Sequence, residues 1–160
     1  ILIMPINIAF SDADLGYKHY LNGEYDKALE IWSKEVHQGK REAIYNVGLL
    51  YFFGKGVKKD LQVAYEYCEK AAYMGSSRAQ NNLAFMLIEG LGTSKNYVAS
   101  YAWAQIAIEN GYNSQKIRES ASMHLTPAMR HDANKLVKNL KREIIYDWSD
   151  WDKCWNYISE

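Results

Sequence analysis

One unit is written twice in this chain, in phase. A shift of 36 residues places Ala43 on Ala79, Asn46 on Asn82, Gly54 on Gly90, Gly56 on Gly92, Tyr65 on Tyr101, Ala71 on Ala107 and Gly75 on Gly111. The same step backwards reaches Gly39. Self-similarity at a fixed period of this length marks a solenoid, in which each unit buries its apolar face only against its neighbours. The expected fold is therefore all-α, a solenoid of antiparallel helix pairs. A short solenoid of this kind is expected to act as a binding surface.

Local signals give the helices. Residues 12–21 and 25–38 form a first pair, turning at Asn22-Gly23; 41–53 and 60–74 form a second; 77–89 and 96–110 form a third. Asp60, Ser76 or Ser77, and Asn96 are polar caps at helix starts, where a side-chain oxygen accepts from an otherwise unpaired backbone N–H. Gly39, Gly75 and Gly111 end the second helices, in the left-handed conformation that glycine tolerates best. Small residues recur where helices touch: Gly16, Gly48 and Ala84 on the first helices, and Ala28, Ala64 and Ser100 on the second. Beyond Gly111, residues 114–123 read as a helix. Thr126-Pro127 then opens another, with Ala133, Leu136, Val137, Leu140, Ile144 and Ile145 at helical spacing. These are expected to cap the open end of the stack.

At this point the residues resemble a known family. Residues 43–75, with Ala43, Gly48, Tyr51, Gly54, Gly56, Val57, Asp60, Ala64, Lys70, Ala71, Ala72 and Gly75, resemble a Sel-one-like repeat, the longer-looped relative of the tetratricopeptide repeat. Residues 79–111 match more loosely, with Ala84, Leu87 and Ser100 in place of Gly48, Tyr51 and Ala64. Residues 15–32 resemble an ordinary tetratricopeptide unit with a short loop, and Leu125-Thr126-Pro127 resembles the helix start that follows such repeats in bacterial members. The resemblance implies a non-enzymatic adaptor that binds a protein or peptide partner in bacterial envelope signalling, assembly or host interaction. It also implies an alternative, an envelope hydrolase or a binder of penicillin-type cell-wall ligands.

The domain reading has three parts. Residues 1–11 are a signal-peptide remnant or an apolar arm on the first repeat; 12–111 are the three helix pairs; 112–160 are a helical cap with a tryptophan-rich tail. Ile1 to Phe10 carry no charge, and Ala9-Phe10-Ser11 resembles a signal-peptidase site. The expected location is accordingly periplasmic or secreted, with the cytoplasm as the alternative. No stretch is long and apolar enough to span a membrane as a helix.

Charge and motifs narrow the chemistry. The 19 basic and 19 acidic residues cancel, so no overall basic field draws nucleic acid. Lys135, Lys138, Lys141 and Arg142 lie at helical spacing and read as a solvated face. Cys68 and Cys154 are the only cysteines. Cys68 sits at an inward helical position and reads as a buried free thiol, unless export and a folded-back C-terminal helix bring it to Cys154. The loops Gly54-Lys55-Gly56 and Gly90-Leu91-Gly92 lack the strand and the G-K-[ST] of a phosphate cradle. His19, His37, His124 and His131 are scattered, and Asp147, Asp150 and Asp152 lack a calcium-loop pattern. No catalytic, cofactor or metal residues are assigned.

The expected partner site is the concave face made by the first helix of each pair. Counting from Gly16, Gly48 and Ala84 selects Tyr17, Tyr20, Tyr45, Leu49, Phe52, Phe53, Arg78, Asn81, Phe85 and Glu89. Their aromatic and amide chemistry suits a peptide or a helix; the competing assignment for any one of them, Leu49 and Phe85 above all, is the core. Trp148, Trp151 and Trp155 at i, i+3 and i+7 form a second candidate surface, either capping the stack, meeting a partner or driving self-association. The expected state is a monomer or a weak homo-oligomer.

Overall fold

The computed structural model describes residues 15–144, and every regular element among them is an α-helix. The order is α1 (Leu15–Leu21), α2 (Tyr25–His37), α3 (Arg41–Phe53), α4 (Leu61–Tyr73), α5 (Ser77–Glu89), α6 (Tyr97–Glu109), α7 (Gln115–Ser122) and α8 (Pro127–Glu143). The apolar start of the chain, Cys154, Trp148, Trp151 and Trp155 lie outside the described residues. None of the described helices is long and apolar enough to cross a membrane.

The capping chemistry sets these boundaries. The Asp60 carboxylate accepts from the backbone N–H of Gln62 and Val63 at 3.0 and 3.1 Å. Asn96 accepts from Ala99 at 2.9 Å, and Thr126 accepts from Met129 ahead of Pro127 at the start of α8. These contacts satisfy donors that have no partner inside the helix. At the other ends, Gly54 and Gly90 cap α3 and α5 in the left-handed region.

Close helix approach follows from the small residues. A Cβ at Gly16 would lie 2.4 Å from Trp32 Nε1, so this indole packs directly on the α1 backbone. A Cβ at Gly48 would lie 3.0 Å from Tyr67 Cβ. In the third pair the Ser100 hydroxyl donates to the Ala84 backbone carbonyl at 2.7 Å, a direct bond from α6 to the main chain of α5.

Two apolar clusters result. Tyr20, Ala28, Trp32, Ala43, Val47 and Leu50 form one around the first pair. The larger runs from Ile44 through Leu83 and Ile106 to Leu140 and Ile144. Val36, Tyr51 and Tyr67 pack against both. The cap contributes Ile117, Ala121, Val137 and Leu140 to the larger cluster. Arg130 lies over the Tyr101 ring at 5.6 Å, and Lys141 meets Glu109 at 2.6 Å, so α8 runs alongside α6 in the same direction. Lys135, Lys138, Lys141 and Arg142 are exposed on the outer side of α8.

Candidate functional site

The first helices of the pairs are α1, α3 and α5, and the ten expected site residues divide by depth. Tyr20, Tyr45, Leu49 and Asn81 are buried. Tyr17, Phe52, Arg78 and Phe85 are half-buried, whereas Phe53 and Glu89 are exposed. The division has a packing reason. Tyr20 is wedged against Trp32, with ring centres 5.9 Å apart, and Tyr45 reaches across to α5, where Asn82 Nδ2 donates to its hydroxyl at 2.7 Å. Asn81 donates to Asn82 Oδ1 at 3.3 Å, so its amide serves the interior. Burial raises the Tyr45 hydroxyl pKa above its ordinary value of 10.0 and keeps it a neutral hydrogen-bonding group. Phe52 and Phe53 meet edge to face at 5.0 Å, and Tyr17 stacks beside Tyr20 at 6.1 Å.

Between α3, α4 and α5 a gap of about 10 Å³ is lined by Tyr45, Leu49, Phe52, Cys68, Asn82 and Met86. That is room for about one water molecule, not for a substrate. Cys68 is a free, buried thiol donating to the Ala79 carbonyl at 3.2 Å. Burial, and secondarily the Glu69 carboxylate, push its pKa upwards, the opposite of an activated nucleophile. Among the described residues no group of three His, Cys, Asp or Glu side chains is arranged to hold a metal ion.

Two clusters escape a reading by repeat position. Lys55, in the α3–α4 loop, donates to the Tyr20 hydroxyl at 2.7 Å and lies over the rings of Tyr20, Tyr25 and Phe53 at 4.5, 5.1 and 5.7 Å. The hydrogen bond to Tyr20 is the chief cause of its raised pKa. The equivalent residue in the next repeat is Leu91, and that difference was the available signal. The second cluster is an open polar cleft at the edge where second helices end and first helices begin. Arg41, Glu42, Ser76, Arg78 and Asn110 line it. Arg78 meets Glu42 at 3.1 Å, and Arg41 Nε lies 3.7 Å from the same carboxylate.

Comparison with known proteins agrees with this architecture. Residues 41–76 and 77–112 match the Sel1 repeat. A protective antigen present in uropathogenic Escherichia coli strains, displaying an SLR fold, superposes with a TM-score of 0.78 at 30% identity over 91% of this chain and 31% of its own. A Sel1 repeat protein from Oxalobacter formigenes superposes with a TM-score of 0.57 at 27% identity, over 66% of this chain and 81% of its own. A probable tRNA pseudouridine synthase of Methanocaldococcus jannaschii shares 45% identity over 42 residues, 26% of this chain and 10% of that protein. The chain thus spans about a third of the antigen and a tenth of the synthase.

Proposed function

The chain is a Sel1-like repeat protein, and we propose that it is a non-enzymatic adaptor that holds a peptide or helix against the inner face of α1, α3 and α5. Sel1 repeats are scaffolds for protein–protein interaction, which is the coarse statement the fold carries. The observation that supports the finer one is the fringe of half-open side chains on successive first helices: Tyr17 on α1, Phe52 and Phe53 on α3, Arg78, Phe85 and Glu89 on α5. Aromatic groups already held in place lose little entropy on binding and serve as anchors. Buried Tyr20, Tyr45, Leu49 and Asn81 form the rigid floor beneath them. The division into a leader or arm at 1–11, helix pairs at 12–111 and a cap at 112–160 belongs to this reading. So does a location outside the cytoplasm, supported by the signal-like start and by the likeness to a protective antigen.

The test is affinity capture with the intact chain, a Phe53→Ala/Glu89→Lys variant and a Glu66→Lys control on the second helix of a pair. All three changed residues are exposed, so the fold persists. A partner retained by the intact chain and the control, and lost by the groove variant, supports the proposal. Equal retention by all three overturns the assignment to this face.

A further inference from the structure

The loop between α3 and α4 carries Lys55, Lys58 and Lys59, and among the described residues no carboxylate lies within ion-pair distance of any of them. Lys58 and Lys59 are simply exposed. Lys55 is held in place. Its ammonium donates to the Tyr20 hydroxyl at 2.7 Å and lies 4.5, 5.1 and 5.7 Å from the ring centres of Tyr20, Tyr25 and Phe53. Ring faces attract an ammonium but carry no net charge, so they fix its position without neutralising it. The ammonium also stays largely in solvent. A carboxylate arriving from outside therefore meets a cation whose side chain is already ordered, and pairing costs little further entropy.

Phe53 connects this cation to the face proposed for a peptide, because the exposed ring is part of the fringe and Tyr20 is part of the floor. The next repeat has Leu91, Ser94 and Lys95 at the places of Lys55, Lys58 and Lys59, so the ring-held cation belongs to one repeat and not to its successor. Acids flank it. Asp26 Oδ1 would lie 3.1 Å from a Cβ on the neighbouring Gly56, and Glu89 stands on α5 at the repeat position of Phe53. A long phosphate backbone laid across the loop would run onto these acids, whereas a single carboxylate need not.

We propose that Lys55 is a specificity-determining residue of the peptide face, selecting a partner segment that sets an aspartate or glutamate carboxylate on the Lys55 ammonium beside an apolar contact with Phe53. The selection acts through the proposed peptide face and rests on that reading.

Selection of a random-peptide phage library on the full chain tests this. The expected result is an Asp or Glu at one fixed position of the enriched peptides. A synthetic copy of one such peptide is then titrated by fluorescence anisotropy. Changing its acid to the matching amide should weaken binding to the intact chain by roughly tenfold and leave binding to Lys55→Met unchanged. Lys55→Met keeps the apolar stem on the rings, Lys55→Arg should keep the preference for acid, and circular dichroism checks the fold of both. Enriched peptides without an acid preference, or an amide penalty of the same size on Lys55→Met, overturn the proposal while leaving the peptide face standing. Enrichment of no peptide, or equal binding by the Phe53→Ala/Glu89→Lys variant, overturns the face itself and this selection with it. Lys55-dependent binding of phosphatidylserine vesicles, with no acid-bearing peptide enriched, assigns the loop to phosphate and also overturns it.

Discussion

Gly92 and Gly111 share a left-handed backbone, with φ of +71° and +82°, but not their surroundings. A Cβ at Gly111 meets nothing within 4 Å, whereas at Gly92 it would lie 2.0 Å from the Leu61 carbonyl oxygen. Gly111→Ala should therefore cost only the backbone term, about 1 kcal/mol. Gly92→Ala should cost more than about 3 kcal/mol, because a neighbouring main chain has to move. Denaturant titration of the two variants checks the contrast, and similar midpoints would refute it. The loop glycines are visible in the sequence as tight reversals; their second role is not. Gly56 packs on Tyr25 and Gly92 on Leu61, each loop tip seated on the first residue of a second helix one repeat earlier. Tyr25 and Leu61 stand one 36-residue step apart, so the period contains the contact, but only three-dimensional stacking gives it a direction. Cys68 supplies a pH dependence. Its folded pKa lies above the ordinary 9.0, so below that pH both folded and unfolded chains hold the proton and stability is flat. As pH rises past 9.0 the unfolded chain releases the proton while the folded one keeps it, and stability falls by up to about 1.4 kcal/mol per pH unit from this group. Stability curves between neutral and alkaline pH should be shallower for Cys68→Ala above that point and parallel to the parent below it.

At the scale of elements, α3 and α5 have the residue ranges that the sequence pattern predicts, and α4 and α6 differ from it only by their caps. Much of the agreement has a local cause: side-chain caps open α4, α5 and α6, and Gly54 and Gly90 close α3 and α5, without help from distant residues, whereas α3 starts after Lys40 with no side-chain cap. The start of α2 is likewise without a cap. Glu24, preceding α2, makes no side-chain capping bond; its carboxylate is engaged by His19 and Lys27 at 2.6 Å. Asp60→Ala should lose about 1 kcal/mol and speed hydrogen exchange in the first turn of α4. Glu24→Ala should leave the first-turn exchange of α2 almost unchanged, since no cap is removed. An equal response at both helices would remove the distinction. The candidate site was less legible for the opposite reason, because it depends on depth. Helical spacing places Tyr17, Tyr45 and Phe52 on related faces, yet Tyr45 is drawn inward by a hydrogen bond to Asn82 on another helix, 37 positions along the chain. No periodicity within one helix encodes that bond.

For the whole molecule, the consequence of repetition is modular stability. The first-pair cluster around Trp32 and the main cluster around Leu83 and Ile106 meet at a seam of half-buried side chains, Val36, Tyr51 and Tyr67, and no fully buried residue belongs to both. In a solenoid the stability of each unit is its own plus that of its neighbour contacts, so a defect at one end spreads only through such a seam. Trp32 is almost fully buried on α2, and its indole lies against Gly16 on α1. Trp32→Ala should cost the first pair about 3–5 kcal/mol. Hydrogen exchange should then accelerate in α1, α2 and the α2-facing side of α3, while α5, α6 and α8 retain their protection. Leu83→Ala, at a fully buried position on α5, is the counterpart: it should accelerate exchange through α3 to α8, because that side chain belongs to the cluster into which the cap packs. Uniform acceleration of every helix by Trp32→Ala would mean that the seam transmits the whole loss and that the chain unfolds as one unit. Acceleration confined to the first pair would mean that this end of the solenoid opens independently. Tyr17 would then be the least fixed of the proposed partner contacts, with those on α3 and α5 staying on a rigid floor.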